Sequence, residues 1–189
     1  MPKRVFLGDE AQSLGIVSSE KVYEGAIWNV QRETFDYHGA ELTRDFVDHP
    51  GAVSIVAIND HGEIMMIRQY RHAIRALDWE IPAGLLDIPG EDPLVCAKRE
   101  LVEEADLEAD TWQHITRLNT TPGGSNESTH IFLATGLQER EHEYVRTGEE
   151  ADLEKRWVLL EDAVASILSG EMTNQISVTA VLAVYASRH

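Results

Sequence analysis

Two short apolar runs rich in β-branched residues, 52–58 and 64–70, stand out in the hydrophobic pattern. The four residues between them, 59–62, are Asn-Asp-His-Gly, a composition typical of a tight turn, so the pattern predicts a strand pair. Similar patterning predicts strands at 25–30, 41–47, 112–118, 129–134 and 155–159, and helices at 162–168 and 175–186.

A third helix is predicted from Pro93 to the region of Ala105. Asp92 is a good N-cap, and proline is favoured at the first helical position. Apolar residues recur at helical spacing and predict one buried stripe, formed by Leu94, Ala97, Leu101 and Ala105. The charged residues are expected on the opposite side of this helix.

Three carboxylates lie within about one turn of this helix: Glu100, Glu103 and Glu104. Like charges at these spacings repel, and they crowd the negative C-terminal end of the helix, where cations are preferred. With 33 acidic residues in the chain, a solvated acidic face is one interpretation. The other is a site for a positive ion.

Composition limits the classes of function. The chain has 189 residues, 43% hydrophobic and 26% charged, as expected for one globular core. Its net charge of −17 disfavours nucleic-acid and anionic-membrane partners. The absence of a long apolar run and of a signal-like leader predicts a cytoplasmic protein. The single Cys96 excludes an internal disulfide and is expected to be a small core or boundary residue.

Carboxylate oxygens suit hard divalent cations, so an ion at this helix would be Mg²⁺ or Mn²⁺. The sequence contains no thiolate cluster or closely spaced histidine pair that would favour zinc.

The residues Gly84, Glu91, Arg99-Glu100-Leu101 and Glu103-Glu104 resemble the signature of the Nudix hydrolase family. Two positions depart from the usual pattern. Six residues instead of five separate Gly84 from Glu91, and Asp106 stands where the family has a glycine. The longer loop is tolerated at little cost, and Asp accepts a left-handed helix end better than most residues.

The resemblance implies a fold and a set of roles. The fold would be an α/β/α sandwich around a mixed β-sheet. Glu100, Glu103 and Glu104 would bind the metal together with the backbone carbonyl of Ala83, and Glu100 and Glu104 would be essential for catalysis. Gly84, Glu91 and Arg99 would support the site, with an Arg99–Glu91 ion pair holding the loop against the helix.

Further residues resemble the bacterial ADP-ribose pyrophosphatase subfamily. Pro122 lies sixteen positions after Asp106, and the stretches 69–72 and 79–84 match the strand and the approach to the signature. The resemblance implies metal-dependent hydrolysis of ADP-ribose to AMP and ribose 5-phosphate. Hydrolysis of another nucleoside diphosphate sugar, or a catalytically silent ADP-ribose-binding domain, are the alternatives. The expected substrate-binding residues are Arg71, Glu80, Arg68 and Trp28; as an alternative, the arginines could be solvent-facing partners of acids.

Residues 1–48 precede the domain that carries the signature, which we assign to 49–189. In the resembled subfamily this first part exchanges between subunits, which implies a homodimer with 1–48 as the dimerisation arm. Trp28 and Phe35 are candidates for stacking on the adenine, although an aromatic side chain in a strand is more often part of the core.

A general base is still needed, and the acidic stretch 138–154 is the candidate region. A loop that closes over bound substrate would allow a carboxylate to act away from bulk water. By the resemblance Glu150 is the first choice and Glu149 the second. The alternative is that the stretch is a solvated charged loop, whose other acids are Glu139, Glu141, Glu143 and Asp152.

Overall fold

A computed structural model describes residues 7–141 and 144–188, except for the side chains of Glu149 and Glu150. The chain divides into two compact units, Met1–Asp48 and His49–His189. Each unit has its own sheet structure. In the described part of the chain, no helix has the length and apolar character needed to cross a membrane.

The first unit is an antiparallel sheet in the order β1–β2–β3. Its strands are β1 (Ile16–Glu24), β2 (Asn29–Tyr37) and β3 (Ala40–Asp48). The predicted strand 41–47 is therefore confirmed, whereas the prediction for 25–30 is wrong because most of that range connects β1 and β2. Sequence patterning missed β1 because all of its residues are exposed, so no buried face produces an alternation.

The second unit contains a mixed sheet and an antiparallel sheet. The mixed sheet has the order β7–β4–β9–β8, with β4 and β9 parallel, and the other sheet has the order β10–β5–β6. The elements in chain order are β4 (Ala52–Ala57), β5 (Glu63–Arg71), β6 (Ala76–Glu80), β7 (Ala83–Leu85), α1 (Pro93–Ala105), β8 (Leu107–Asn119), β9 (Ser128–Glu139), the 3₁₀ helix Gly148–Asp152, β10 (Glu154–Leu159), α2 (Leu160–Leu168) and α3 (Gln175–Ser187).

Strand β4 lies at the centre of the core, buried on both faces. Val53, Ile55 and Ala57 pack in a cluster with α1, and Val56 packs in the cluster formed with α2 and α3. The unbroken apolar run reflects this double burial, since a strand covered on both sides has no solvent face. Helices on both sides of a mixed sheet confirm the expected α/β/α sandwich.

The turn between β4 and β5 forms as predicted, but the strand pair does not extend from it. The Gly62 N–H donates to the Asn59 carbonyl at 3.0 Å, and one bridge joins Ile58 to Ile64. Beyond that bridge the two strands enter different sheets. The reason is competition for backbone partners: β4 pairs with β7 and β9, and β5 pairs with β6 and β10.

Candidate active site

Helix α1 begins and ends as its sequence predicts. The Asp92 side chain accepts a hydrogen bond from Leu94 N at 2.9 Å, and Pro93 is the first helical residue. At the other end Asp106 adopts the left-handed conformation, with φ 59°. Its N–H caps the carbonyls of Leu101 and Val102. The two caps fix the register in which α1 presents its carboxylates.

The three carboxylates of α1 differ in burial. Glu104 is only 5% exposed, whereas the side chains of Glu100 and Glu103 are 12% and 23% exposed. The expectation that Glu104 lies on the outer side of the helix is therefore wrong. Its Oε2 accepts a hydrogen bond from Ala83 N at 2.8 Å, and this bond to β7 compensates for removing a carboxylate from water.

Most of the predicted apolar stripe of α1 is buried. Ala97, Leu101 and Ala105 are buried, but Leu94 is only partly buried and Cys96 takes a buried place instead. Burial raises the pKa of the Cys96 thiol to about 12, and its S–H donates to the Leu85 carbonyl at 3.3 Å. The cysteine is therefore an unreactive thiol group of the core.

Gly84 leaves the space that the Glu100 side chain occupies. A Cβ atom at Gly84 would lie 2.0 Å from Glu100 Cδ, far closer than two carbon atoms can approach. A side chain at this position would displace the Glu100 carboxylate, so the glycine matters for its lack of a side chain and not for an unusual backbone angle. The approach of β7 to α1 brings Gly84, Ala83, Glu100 and Glu104 together.

Arg99 contacts three residues of the predicted site. Its guanidinium contacts Glu91 Oε2 at 3.1 Å, Glu100 Oε1 at 2.6 Å and Glu103 Oε2 at 3.1 Å. The hydrogen bond to Glu91 is the main cause that raises the pKa of Arg99, and the same bond lowers the pKa of the Glu91 carboxyl. The expected Arg99–Glu91 ion pair is thus present. The contacts of Arg99 with Glu100 and Glu103 were not anticipated.

The charge balance and donor chemistry at α1 fit a hard divalent cation. One guanidinium faces Glu91, Glu100 and Glu103, and Glu104 adds a fourth carboxylate beside them. Nevertheless, among the side chains that the structure describes, which exclude those of Glu149 and Glu150, no group of three His, Cys, Asp or Glu is arranged to hold a metal ion. Arg99 Nη1 instead bridges Glu100 and Glu103. Carboxylate oxygens of Glu91, Glu100 and Glu103 are therefore bound to Arg99 in this structure.

Two of the predicted substrate-binding residues bind each other. Arg71 donates from Nε and Nη2 to the two Glu80 oxygens at 2.6 and 2.7 Å, the bidentate geometry of a strong ion pair. Glu80 is 4% exposed, so Arg71 satisfies a buried carboxylate while part of its own side chain stays exposed. The pair couples the ends of β5 and β6.

Arg68 makes contacts with Glu154 and Trp79 that sequence analysis did not predict. Its Nη2 lies 2.5 Å from Glu154 Oε2, and its guanidinium carbon lies 5.1 Å from the centre of the Trp79 ring. Arg156 approaches the same ring at 4.9 Å. Glu154 and Arg156 lie two residues apart on β10, which pairs with β5. No local sequence signal indicates the register of this pairing.

The two aromatic candidates for adenine stacking belong to the first unit. Trp28 lies in the connection between β1 and β2 and is 46% exposed, and Phe35 lies on β2, partly buried and paired opposite Leu42. The Trp28 side chain is accessible for stacking, whereas Phe35 contributes to the packing of its sheet.

The Pro122 stretch forms a turn whose flanking residues are tied to neighbouring elements. Gly124 N donates to the Thr121 carbonyl at 2.9 Å. Thr120 donates to Glu127 at 2.5 Å, and its own carbonyl accepts a bond from Gln175 of α3 at 2.6 Å. These bonds fix the ends of the turn.

In the stretch 138–154, β9 continues to Glu139, and the 3₁₀ helix contains Glu149 and Glu150. The side chains of both candidate bases, and all of Glu143, lie outside the described residues. Sequence analysis missed Arg146 in this stretch, which donates to the Glu103 carbonyl at 2.8 Å and to Asp106 at 2.7 Å. The acid in the glycine position of the signature was the available signal, since a carboxylate at the negative end of a helix needs cationic partners.

An open cavity of about 900 Å³ lies beside this stretch. Asp106, Tyr144, Arg146 and Lys155 are among its lining residues, and the α1 carboxylates Glu100, Glu103 and Glu104 are not. The carboxylate cluster is therefore not part of the lining of this cavity.

Comparison with known proteins adds to this geometry. Residues 48–177 match the NUDIX domain. The chain is 45% identical over 171 residues to an ADP-ribose pyrophosphatase of Mycobacterium tuberculosis, covering 90% of this chain and 82% of the relative. It is 36% identical over 157 residues to an ADP-ribose pyrophosphatase of Bacillus subtilis, covering 82% and 84%. A crystal structure of an ADP compounds hydrolase shares the fold, with a TM-score of 0.77, 22% identity and coverage of 95% and 96%.

Proposed function

Because the chain belongs to the Nudix family, we propose that it hydrolyses the pyrophosphate of ADP-ribose to AMP and ribose 5-phosphate with a divalent metal ion. The observation that carries the proposal is the convergence of Glu100 and Glu104 on β7, where Gly84 makes room for Glu100, with Glu103 joined to Glu100 through Arg99. Two relatives whose names specify ADP-ribose support the choice of substrate.

Mg²⁺ or Mn²⁺ is the proposed ion, held by Glu100, Glu103 and Glu104 with the Ala83 carbonyl. When bound there, the ion would neutralise charge on phosphoryl oxygens and make a bound water more acidic. Arg99 then has a double role in the proposal: it orients the loop through Glu91 and it compensates the charge of Glu100 and Glu103.

The remaining roles fall to residues around the carboxylates. Arg71, held by Glu80, offers a fixed guanidinium for an anionic substrate, and Arg68 lies three positions earlier on the same strand. Trp28 is the proposed stacking residue for adenine. Glu150, with Glu149 as second choice, is the proposed base that takes a proton from the attacking water.

A homodimer is also part of the proposal, with residues 1–48 as the dimerisation arm. The support is the unusual number of large apolar side chains that the first unit exposes, since such patches on soluble proteins mark interfaces. They are Leu7, Ile16, Val17, Val22, Tyr23, Ile27, Trp28 and Tyr37. Sedimentation equilibrium of the full chain measures this directly.

The proposed partners and location follow from charge and cysteine content. A net charge of −17 favours a small-molecule substrate over nucleic acid or an anionic membrane. One buried cysteine and no disulfide are compatible with the reducing cytoplasm, which is the proposed location.

Glu104→Gln tests the catalytic proposal most directly. The amide has nearly the shape of the carboxylate and retains an oxygen to accept the Ala83 N–H, but it loses the negative charge. We expect AMP release from ADP-ribose to fall by about a hundredfold or more while the unfolding midpoint changes little. AMP is measured chromatographically with Mg²⁺ and with Mn²⁺.

Glu108→Gln is the matched control, since Glu108 is an exposed acid on β8 that pairs with Arg140 at 3.4 Å. Near-normal turnover by Glu104→Gln would exclude Glu104 as a metal ligand. A clear preference of the unmodified protein for another nucleoside diphosphate sugar would overturn the substrate assignment. Tight binding of ADP-ribose without AMP release would establish a silent binding domain.

A further inference from the structure

Asp106 replaces the glycine of the family signature and makes contacts that a glycine cannot make. Its Oδ1 accepts a hydrogen bond from Arg146 Nη2 at 2.7 Å, and its Oδ2 accepts one from Lys155 Nζ. The three side chains are between 22% and 35% exposed, so these ion pairs are partly shielded from solvent. One carboxylate therefore binds two cations that are nine positions apart in the chain.

Arg146 has a second anchor on the same helix. Its Nε donates to the carbonyl of Glu103 at 2.8 Å. This carbonyl belongs to the last turn of α1, where carbonyl groups lack helical partners and a cation is favourable. The planar guanidinium thus connects Asp106 to the backbone of Glu103, one of the proposed metal-binding residues.

The two cations lie at the two ends of one segment. Arg146 precedes the 3₁₀ helix Gly148–Asp152, and Lys155 follows it as part of β10. At the second end, Glu154 also binds Arg68 of β5 at 2.5 Å. The segment 146–155 is therefore closed into a loop by Asp106, and the backbone positions of both proposed bases lie within it.

We infer that Asp106 is a positioning residue. It binds both ends of segment 146–155 at the C-terminal end of α1 and thereby determines the position of the 3₁₀ helix relative to the α1 carboxylates. The inference rests on the proposed function, since it assumes that the base lies in this segment. Asp106 acts through Arg146 and Lys155 and does not touch the substrate.

Because of the backbone conformation at Asp106, an experiment can distinguish this positioning role from a simple contribution to stability. A left-handed conformation disfavours aspartate relative to glycine, and a carboxylate at the C-terminal end of a helix is unfavourable unless cations compensate it. Asp106→Gly removes both penalties together with both ion pairs. If Asp106 only stabilised the fold, replacing it would lower the free energy of unfolding. If it positions the segment, replacing it lowers the turnover number.

The experiment compares Asp106→Gly with the unmodified full-length protein. We expect kcat to fall by about tenfold with a smaller change in KM, since a displaced reacting group mainly affects the chemical step. The unfolding midpoint should change little. Hydrogen exchange at the amides of Gly148–Asp152 should become faster, because both ends of the segment have lost their anchor.

A charge-conserving variant provides the rescue. Arg146→Met removes both of its anchors and should reproduce the lower kcat, whereas Arg146→Lys retains the charge and should recover part of it. Glu108→Gln, which breaks the separate ion pair with Arg140, should leave kcat and the exchange rates unchanged.

Asp106→Gly with unchanged kcat would overturn the inference. So would a lower kcat without faster exchange in Gly148–Asp152, or an equal loss in Glu108→Gln. These results differ from failure of the proposed function, in which the unmodified protein itself would release no AMP from ADP-ribose.

Discussion

Two segments flank the carboxylates of α1, and each is bound to the helix by ion pairs of opposite polarity. In the first segment, 84–91, the helix supplies the cation Arg99 and the segment supplies the carboxylate Glu91. In the second, 146–155, the cap residue Asp106 supplies the carboxylate and the segment supplies the cations. Helix α1 thus binds the first segment through a cation of its own and the second segment through the carboxylate of its cap residue.

Burial distinguishes the two anchors. The Glu91 side chain is 8% exposed, whereas Asp106 is 35% exposed. A charge that is removed from water must keep its partner, while solvent can replace the partner of a half-exposed charge. We therefore expect loss of the Arg99–Glu91 anchor to lower stability more than loss of the Asp106 anchor, whose main effect is on geometry at the site. The predictions below test this division, beginning with the largest effect.

Gly84→Ala should have the largest effect, because it changes the closest approach between the first segment and α1. The new Cβ would need the space of Glu100 Cδ, which lies only 2.0 Å away. The Glu100 carboxylate can rotate away at little cost in stability, but it then leaves the proposed metal site. We expect activity on ADP-ribose to fall by about a hundredfold, measured as kcat/KM.

Gly15→Ala is the control, because Gly15 has open space around the position of a Cβ atom and should tolerate the change. If Gly84→Ala retained full activity, the close packing of the first segment on α1 would have no catalytic importance.

Arg99→Met should lower stability more than Asp106→Gly does. It leaves the nearly buried Glu91 carboxylate without its main partner and removes the charge that separates Glu100 from Glu103. The unfolding midpoint in urea should fall clearly for Arg99→Met. Arg140→Met breaks an exposed ion pair with Glu108 and should have almost no effect. Equal losses in Arg99→Met and Asp106→Gly would contradict the division between the two anchors.

The sequence predicted the first anchor but not the second, for a physical reason. Glu91 and Arg99 are local in sequence and belong to a recurrent pattern, and the caps at Asp92 and Asp106 depend on a few neighbouring residues. The partners of Asp106 lie about 40 and 49 positions away, and only the pairing of β10 with β5 brings Lys155 into reach. Local periodicity carries no information on such distant contacts.

The same distinction explains the errors in the fold. The core strands and helices of the second unit were predictable because burial imposes a hydrophobic pattern on them. Strand β1 was not, since all its residues are exposed, and neither was the separation of β4 and β5 into two sheets. The burial of Glu104 also depends on a partner outside the helix, the Ala83 N–H of β7. The sequence pattern within α1 could only assign Glu104 to the charged side of the helix.

The smallest expected effect is a pH dependence of the first anchor. The hydrogen bond from Arg99 lowers the pKa of Glu91 below its usual value of 4.5. A carboxyl group whose pKa is lower in the folded state stabilises the fold fully above its unfolded pKa, and this contribution is lost as the pH falls through the folded pKa. The difference in urea midpoint between the unmodified protein and Glu91→Gln should therefore be constant above pH 4.5 and shrink below it. If the difference stayed constant through the acid range, Glu91 would stabilise the loop by shape and hydrogen bonding and not by its charge. The contrast between a charge-dependent first anchor and a second anchor that acts on geometry would then fail.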